Sequence, residues 1–373
     1  MKQFKITTKH KNAIYLIIVE SPSKCAKIEG FLGSQYMCIA SMGHLRHING
    51  LKNIDIKNKY DVTYENIQDK EKYIKEMKKV IHNFHKERIY IATDDDREGE
   101  AIGWHICDMF DLSIDSTHRI IFREITKEAI IKSLSHPTLL NMNKVHSAIA
   151  RQVLDLIVGY RISPLLWKHL YNDKNNALSA GRCQTPCLGL IYDNNNIDRS
   201  TMDTEHKIKG IFTDKNISFS LDRHIDDYDV LNTFFENSKN HKHKMTMGKK
   251  GKRNVSPPQP FNTSKLIQQC GSNIGIGSGH VMKLCQDLYQ GGYITYMRTE
   301  SKTYSREFLS KSKEYISNTY GSEYYSKDTS NIENVKKNDP HEAIRVTNIN
   351  CSKLDIQHKD SKIHTVYYTI WKN

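Results

Sequence analysis

Short apolar runs alternate with amphipathic stretches over the first third of the chain. The run IYLIIV is β-branched and followed by turn residues, which predicts a buried strand at Ile14–Val19. A helix is then expected to about Leu32. Further predicted elements are strands at Met37–Ala40, Arg88–Ala92 and Arg119–Phe122, and helices within 66–86, at about 98–110 and from Thr126. This alternation predicts an α/β domain with a mainly parallel sheet, whose sites lie at the carboxyl ends of strands.

The pattern changes after about residue 143. Apolar residues then recur at helical spacing, with amphipathic stretches at Met142–Tyr160 and Ser179–Tyr192. Residues 205–235 lose that spacing and contain short alternating runs, which predict β structure. A lysine-rich segment without an acid, Ser238–Asn254, is expected to be a hinge loop, although DNA contact is the alternative. Helical spacing resumes past Thr263.

Composition restricts the class of protein. The 373 residues carry a formal net charge of +13, which favours a polyanionic partner, although a lysine-rich solvated surface would give the same charge. No apolar run approaches the roughly 18 residues of a membrane helix, and the start lacks the apolar region of a secretory signal. The eight cysteines form no CxxC pair. We therefore expect reduced thiols, no zinc site and an intracellular, non-membrane protein.

The clearest chemical feature follows the predicted strand RIYIAT. Asp94, Asp96 and Glu98 alternate there, and in extended chain such residues point the same way. Converging carboxylates repel one another unless a cation neutralises them, and hard oxygen ligands suit Mg²⁺. A solvated acidic loop is the alternative. Glu20 ends the first strand and is expected at the same sheet edge, as a ligand or a proton donor, with Lys24 placed to meet a phosphate.

Two segments, IVESPSKCAKIEGFLG and IATDDDREGEAIGWHI, resemble the Toprim domain of type IA DNA topoisomerases. The resemblance continues in the family's order through RIIFREITKEAI, ARQVLDLIVGYRISPLLW, LSAGRCQTPCLGLI, PPQPFNTSKL, LYQGGYITYMRTES and DPHEAIRVT. It covers about residues 14 to 347. It implies a Rossmann-like Toprim domain at 1–142, a helical DNA-gate region at 143–200, a partial β-rich arch and hinge at 201–258, and a catalytic-tyrosine helical domain at 259–373.

The resemblance implies an ATP-independent isomerase that cleaves one DNA strand through a 5′-phosphotyrosine and relaxes negative supercoils. Tyr296 would be the nucleophile, and Arg298 would stabilise the phosphate. Glu20 would protonate the leaving 3′-oxygen, and Lys24 would contact the scissile phosphate. His341 would lie near the tyrosine's phosphate. The remaining implied residues are Asp94, Asp96, Glu98 and Glu20 for Mg²⁺, Arg345 as a weaker candidate for the His341 pocket, and Arg151, Asp155, Arg182, Gln184 and Lys24 for DNA.

The sequence departs from the family pattern at several positions. Cys25 and Ala26 separate Lys24 from Lys27, Glu300 replaces the usual aspartate after MRT, and Val346 replaces the usual proline after HEAIR. The family also continues beyond IHTVYYTIWKN with segments that close a ring, so a truncated gate is expected here.

Four functions therefore remain open. The first is a topoisomerase, and the second is a truncated core that binds or cleaves single-stranded DNA without strand passage. The third is an inactive DNA-binding fragment, and the fourth is a Toprim primase or nuclease, which the YMR motif disfavours. The expected partner is DNA, single-stranded or negatively supercoiled. A monomer is expected, in the cytoplasm or nucleoid, or in a viral factory or virion for a viral source.

Overall fold

The computed structural model describes residues 10–170, 178–196, 206–212, 216–249, 251, 255–326, 328–333 and 341–373. The strands are β1 (Tyr15–Val19), β2 (Tyr36–Ala40), β3 (Arg46–His47), β4 (Ile54–Asp55), β5 (Asp61–Val62), β6 (Glu65–Asn66), β7 (Ile89–Ala92), β8 (His118–Arg119), β9 (Lys209–Phe212) and β10 (Ile217–Ser220). The helices are α1 (Cys25–Leu32), α2 (Glu71–Ile81), α3 (Arg97–Met109), α4 (Lys127–Ser135), α5 (Met142–His169), α6 (Gln184–Asn195), α7 (Tyr228–Asn240), α8 (Thr263–Ile274), α9 (Ser278–Gln290), α10 (Arg306–Thr319) and α11 (Lys362–Lys372). Within these described ranges, each helix is too short or too polar to cross a membrane.

A four-stranded parallel sheet organises the N-terminal region, in the order β2-β1-β7-β8. Strand β1 lies between β2 and β7, and Leu16, Ile17, Ile18 and Val19 are all fully buried. Leu16 and Ile18 face one apolar core, while Ile17 and Val19 face the other. A strand buried on both faces reads as a continuous apolar run, so the predicted α/β parallel fold is confirmed.

The two cores have different origins along the chain. The core on one face is local, because α2 and α3 cover it through residues such as Met77 and Ile106. The core on the other face also contains residues from α8, α9 and α11, including Leu266, Leu288 and Val366. The C-terminal helices therefore share a core with the N-terminal sheet.

The described chain divides into two compact units accordingly. The first unit contains Met1–Ser179 together with Pro257–Asn373, and the second contains Ala180–Ser256. The segment that holds Tyr296 thus packs in the same unit as β1 and β7. The four-part division predicted from the family resemblance stays a prediction.

Several elements differ from their predicted bounds. The helix expected to end near Tyr160 continues as α5 to His169 and includes Pro164. The strand expected at Arg119–Phe122 is reduced to β8, because the Arg119 main chain exchanges both its hydrogen bonds with Thr138. These differences change lengths and leave the order of elements as predicted.

One predicted element is wrong. Residues 228–235 were expected to be β structure, but they form the first part of α7. The Asp227 carboxylate accepts hydrogen bonds from the N–H groups of Asp229 and Val230, and it thereby caps the helix. Helix α7 also extends into the predicted hinge, as far as Asn240. Lys250 and residues 252–254 of that hinge lie outside the described residues.

Candidate active site

The acidic cluster consists of Asp94, Asp96 and Glu98, which lie where β7 passes into α3. Residues 94–98 are called the acidic turn below. Asp96 is the N-cap of α3, and its Oδ1 accepts the Gly99 N–H at 2.8 Å. A Cβ at Gly99 would overlap the backbone oxygen of Asp94, so only glycine fits this turn without a shift of the main chain. The buried strand therefore passes almost directly into a helix, and Asp94 and Asp96 lie at the carboxyl edge of the sheet.

Glu20 lies at the same edge, because it follows β1 and β1 pairs with β7. Burial, followed by the charge of Asp94, raises the pKa of Glu20 to about 7, although the Lys24 ammonium opposes the shift. A carboxyl group with that pKa is partly protonated at neutral pH. It combines the position and the protonation state that a general acid needs.

Lys24 ends the short 3₁₀ turn that precedes α1 and is fully buried. Its ammonium donates a hydrogen bond to Asp94 Oδ1 and lies 4.7 Å from the centroid of the Tyr289 ring. A buried ammonium is costly unless it is paired, and here a carboxylate and an aromatic face both stabilise it. The predicted phosphate-binding lysine therefore lies in the acidic cluster.

Tyr296 lies beside the acidic cluster although it follows Asp96 by 200 residues in the sequence. It is only 4% exposed, and its hydroxyl donates to Asp96 Oδ2 at 2.5 Å. Arg298 Nη1 donates to the same oxygen at 3.3 Å. Burial and the neighbouring Asp96 charge hold the pKa of Tyr296 well above its ordinary value. The structure thus brings the predicted nucleophile, Arg298 and Asp96 into one hydrogen-bonded group, with the phenol protonated.

The main chain before Tyr296 is held on two sides. Ile294 bridges to Val346, and the N–H of Thr295 donates to the carbonyl of Arg345 at 2.9 Å. On the other side, the N–H of Tyr296 donates to the carbonyl of Arg123 at 2.8 Å. Since Arg123 follows β8 by a few residues, this bond joins the tyrosine segment to the sheet.

The expected magnesium ligands do not converge as extended chain would place them. The extended-chain argument is wrong beyond Asp96, because α3 begins at Arg97 and Glu98 lies in its first turn. Asp94 pairs with Lys24, Asp96 with Tyr296 and Arg298, and Glu98 with His44. Across the described ranges, no group of three or more His, Cys, Asp or Glu side chains is arranged to hold a metal ion.

The donor chemistry nevertheless fits Mg²⁺. Glu20, Asp94, Asp96 and Glu98 offer hard carboxylate oxygens at one sheet edge, and the charges of Asp94 and Asp96 both raise the pKa of Glu20. Mg²⁺ is usually bound through one or two carboxylates, with waters and substrate phosphate completing its octahedron. A three-carboxylate cage is therefore not required.

His44 is a site residue that sequence reasoning missed. It follows β2 across a short turn in which Met42 and Gly43 both have positive φ. Its Nε2 lies 3.2 Å from Glu98 Oε2, and this hydrogen bond holds the pKa of Glu98 below its ordinary value. The available signal was its position just past a buried strand of the parallel sheet, the same signal that identified Glu20.

Asp95 and His341 lie beside the cluster. The side chain of Asp95 is almost completely buried, with Oδ2 paired to Arg123 at 2.9 Å and Oδ1 paired to Lys144 at 3.0 Å. Burial alone would raise the pKa of Asp95, but these cations, with His341 contributing, hold it below its ordinary value. The predicted His341 is therefore within electrostatic reach of the acidic turn.

Arg345 lies in the segment that pairs with Ile294 and Thr295. Its guanidinium is buried and pairs with Glu124 at 3.0 Å and with Glu342 at 2.7 Å. It also lies 4.4 Å from the centroid of the Phe308 ring. With two carboxylates and an aromatic face as partners, Arg345 secures the segment that pairs with Ile294 and Thr295. Its predicted place in the His341 pocket stays a prediction.

Arg151 lies on the exposed side of α5, and Asp155 follows one turn later. An open cavity of about 610 Å³ is bordered by side chains from the acidic turn, α5 and the tyrosine segment. Its lining residues are Asp96, Arg97, Glu98, Arg151, Thr263, Arg298, Thr299 and Glu300. The structure therefore brings Arg151 to the same opening as Arg298 and Asp96. Asp155 is not among the lining residues.

Arg182 and Gln184 belong to the second compact unit. Arg182 is half-buried in the turn before α6, and Gln184 is the exposed first residue of that helix. Both residues lie at the start of α6, a helix whose apolar residues are largely exposed, including Leu188, Leu190 and Ile191. Their predicted contacts with DNA stay a prediction.

Comparisons with known proteins agree with this geometry. The Toprim domain model matches residues 15–125, which include Glu20, Lys24 and the acidic turn. The family model described as DNA topoisomerase matches residues 139–373, which include Tyr296 and Arg298. Both matched regions therefore contribute side chains to the candidate site.

Among solved structures, full-length topoisomerase I from Thermotoga maritima is similar to this chain. The two are 30% identical, with a TM-score of 0.75, and the match covers 96% of this chain and 59% of the other. The chain thus spans less than two thirds of the length of that protein.

Proposed function

The chain belongs to the type IA DNA topoisomerase family, and we propose that it cleaves and rejoins one DNA strand through Tyr296. The supporting observation is the shared hydrogen bonding of Tyr296 and Arg298 to Asp96, at the sheet edge that also carries Glu20 and Lys24. A nucleophile, an anion-binding arginine, a buried ammonium and a carboxyl group with a raised pKa are the groups that phosphodiester transfer requires.

Cleavage begins with attack of Tyr296 Oη on the scissile phosphorus. The Asp96 carboxylate, which already accepts the hydroxyl proton at 2.5 Å, takes that proton as the new O–P bond forms. The bond from phosphorus to the 3′-oxygen breaks, and Glu20 donates its proton to the departing oxygen. Arg298 and Lys24 balance the charge that develops on the phosphate.

Rejoining runs through the same groups in reverse. The freed 3′-hydroxyl attacks the phosphotyrosine and returns its proton to the Glu20 carboxylate, while Tyr296 regains a proton from Asp96. The 5′-phosphotyrosine conserves the energy of the broken bond, so no ATP is consumed. Passage of the other strand between cleavage and rejoining would relax a negative supercoil.

We further propose that Asp94, Asp96 and Glu98 bind Mg²⁺, with Glu20 as an additional ligand. When bound, the ion would supply positive charge against the carboxylates and the DNA phosphates, and it would hold the DNA ends for rejoining. Asp94, Asp96 and Glu98 are each paired to a different side chain, so binding would require an exchange of partners.

The proposed partner is single-stranded or negatively supercoiled DNA, bound by a monomer inside the cell. Support comes from the net charge of +13 and from Arg97, Arg151 and Arg298 around the open cavity. Arg182 and Gln184 would contact the single strand from the second unit. Phosphate contacts of this kind release counterions, so affinity should fall steeply as salt rises.

The test uses negatively supercoiled plasmid and Mg²⁺, with covalent complexes trapped by denaturant. We expect DNA linked to Tyr296 and relaxed topoisomers. Tyr296→Phe should abolish both while it leaves binding of a single-stranded oligonucleotide within about twofold, because only the nucleophilic oxygen is lost. Absence of adducts from the wild-type chain would reject the proposal. Adducts without relaxation would show instead that the chain cleaves DNA but does not complete strand passage.

A further inference from the structure

Tyr289 is a fully buried residue in the last turn of α9. The helix ends at Gln290, and the turn through Gly291 and Gly292 sends the chain back toward the sheet. Gly292 has φ +71°, and a Cβ there would lie 2.8 Å from the carbonyl oxygen of Ile125. This tight turn brings the Tyr296 ring edge-to-face against the Tyr289 ring, with centroids 5.2 Å apart and planes at 68°.

The same ring also contacts the buried lysine. Lys24 Nζ lies 4.7 Å from the Tyr289 ring centroid and donates its hydrogen bond to Asp94 Oδ1. The attraction between an ammonium and an aromatic face is stronger when both are desolvated, as they are here. One side chain, outside the roles described above, therefore touches both the nucleophile and the proposed phosphate-binding lysine.

The hydroxyl of Tyr289 contributes little to these contacts. It is buried and lacks a hydrogen-bond partner within the described part of the chain. Burial, and after it the charge of Asp94, raises its pKa well above the ordinary value, so the group stays a neutral phenol. A buried hydroxyl without a partner costs free energy, so the contacts of the ring account for the placement of this residue.

We propose that Tyr289 is a positioning residue for strand cleavage, whose ring fixes the Lys24 ammonium and the Tyr296 phenol relative to each other. The inference rests on the proposed roles of Tyr296 and Lys24. Because the ring is closed off from solvent, it acts through those two side chains. A fixed separation lets the ammonium and the phenol address the same phosphate, and small displacements of such groups reduce rates steeply.

Two substitutions distinguish the contribution of the Tyr289 ring to cleavage from that of its hydroxyl. Tyr289→Phe keeps the aromatic face and removes only the unpartnered hydroxyl, whereas Tyr289→Leu removes the face. In single-turnover cleavage of a single-stranded oligonucleotide, we expect Tyr289→Phe within about threefold of wild type. Tyr289→Leu should be about 10- to 100-fold slower, with oligonucleotide affinity unchanged within about twofold. If the leucine variant folds poorly, Tyr289→Met replaces it, because methionine is close to leucine in volume and also lacks an aromatic face. The same slowing of cleavage is expected.

Tyr293, four residues after Tyr289, provides a matched control. Lys27 Nζ is 4.9 Å from the Tyr293 ring centroid and donates to the carbonyl of Gly291. Tyr293→Leu therefore removes the same kind of lysine–aromatic contact from the same chain segment, without touching Lys24 or Tyr296. Its cleavage rate should stay within about threefold of wild type.

A spectroscopic measurement tests the placement without reference to cleavage. In protein labelled with ¹³C-lysine, the ring current of Tyr289 should shift the Lys24 ε-methylene resonance upfield, and Lys24→Arg assigns that signal. The shift should persist in Tyr289→Phe and disappear in Tyr289→Leu. A wild-type chain without DNA adducts would reject the proposed function alone. A Lys24 signal unmoved by Tyr289→Leu, or cleavage reduced equally by the phenylalanine and leucine variants, would overturn the role of the ring.

Discussion

At the scale of single residues, the candidate site is defined by how each charge is compensated. Lys24 is buried and pairs with Asp94. Tyr296 and Arg298 both donate hydrogen bonds to Asp96, and Asp95 pairs with Arg123. Glu20 is different, because burial and neighbouring carboxylates disfavour its ionised form. The same edge of the sheet thus contains Asp95 and Glu98, whose pKa values are held below their ordinary values, and Glu20, whose pKa is raised to about 7.

The raised pKa of Glu20 predicts how cleavage depends on pH. Only protonated Glu20 can donate to the leaving 3′-oxygen, so the cleavage rate of wild type should fall as pH rises through about 7. Glu20→Gln, which cannot donate that proton, should be slower and should lose this dependence. Single-turnover cleavage between pH 5.5 and 9 measures both, and an unchanged pH profile in Glu20→Gln would contradict the assignment.

The same shift has a consequence for stability with a defined sign. Because the folded-state pKa of Glu20 lies above the unfolded value of 4.5, the folded state binds the proton more tightly. The contribution of this group to stability is present below about pH 4.5 and is lost as pH rises to about 7. Glu20→Gln should therefore gain stability relative to wild type at pH 8 but not at pH 4.5, as measured by denaturant unfolding.

At the scale of elements, the strand-to-helix turn at β7 and α3 positions the acids. Gly99 permits the close approach to Asp94, and its N–H and carbonyl bond to Asp96 and Thr93 respectively. The turn therefore depends on one glycine. A short strand and an N-cap aspartate place two carboxylates at the sheet edge, and the buried guanidinium of Arg119 supports the turn by donating to the carbonyls of Thr93 and Asp94.

Gly99→Ala should disrupt this turn. The added methyl overlaps the Asp94 main chain, so we expect a loss of about 1–3 kcal/mol in unfolding free energy and a large reduction in adduct yield. Gly279→Ala is the control, because that position lies in α9 with open space around a Cβ and should gain up to about 1 kcal/mol. Denaturant unfolding measures both, and equal effects at the two sites would contradict the steric argument.

At the scale of the whole molecule, the first unit is built from two separated stretches of sequence around one sheet. One face of β1 packs into a core that α8, α9 and α11 complete. The tyrosine segment is consequently fixed against the Toprim edge by packing as well as by hydrogen bonds. The sheet and the C-terminal helices should therefore unfold together.

Val366→Ala tests that coupling. Val366 of α11 is fully buried in the shared core, so its truncation should cost about 2 kcal/mol. Native-state hydrogen exchange should show β1 and α11 amides losing protection by the same amount. The exposed Val230→Ala in the second unit should leave both unchanged. Loss of protection confined to α11 would show that the two regions open separately.

Local patterns in the sequence were sufficient to predict the alternation of strands and helices in the sheet region and to point to the acidic segment after β7. The apolar run before Glu20 and the turn residues before α3 are local patterns, and local patterns fix strand period and helix start. The predicted roles of Tyr296 and Arg298 came from a resemblance that spans most of the chain, and they stay predictions. The local patterns failed for 228–235, where the capping residue Asp227 outweighed weak strand alternation.

The pairing of those residues depends on the tertiary structure. Lys24 meets Asp94 across 70 positions of sequence, and Tyr296 meets Asp96 across 200. Tyr289 entered the site for the same reason, since it carries no local signal that distinguishes it from a core residue, whereas His44 lies just past a buried strand of the sheet. Such contacts depend on how the C-terminal helices pack on the sheet, and no periodicity within one segment encodes that packing.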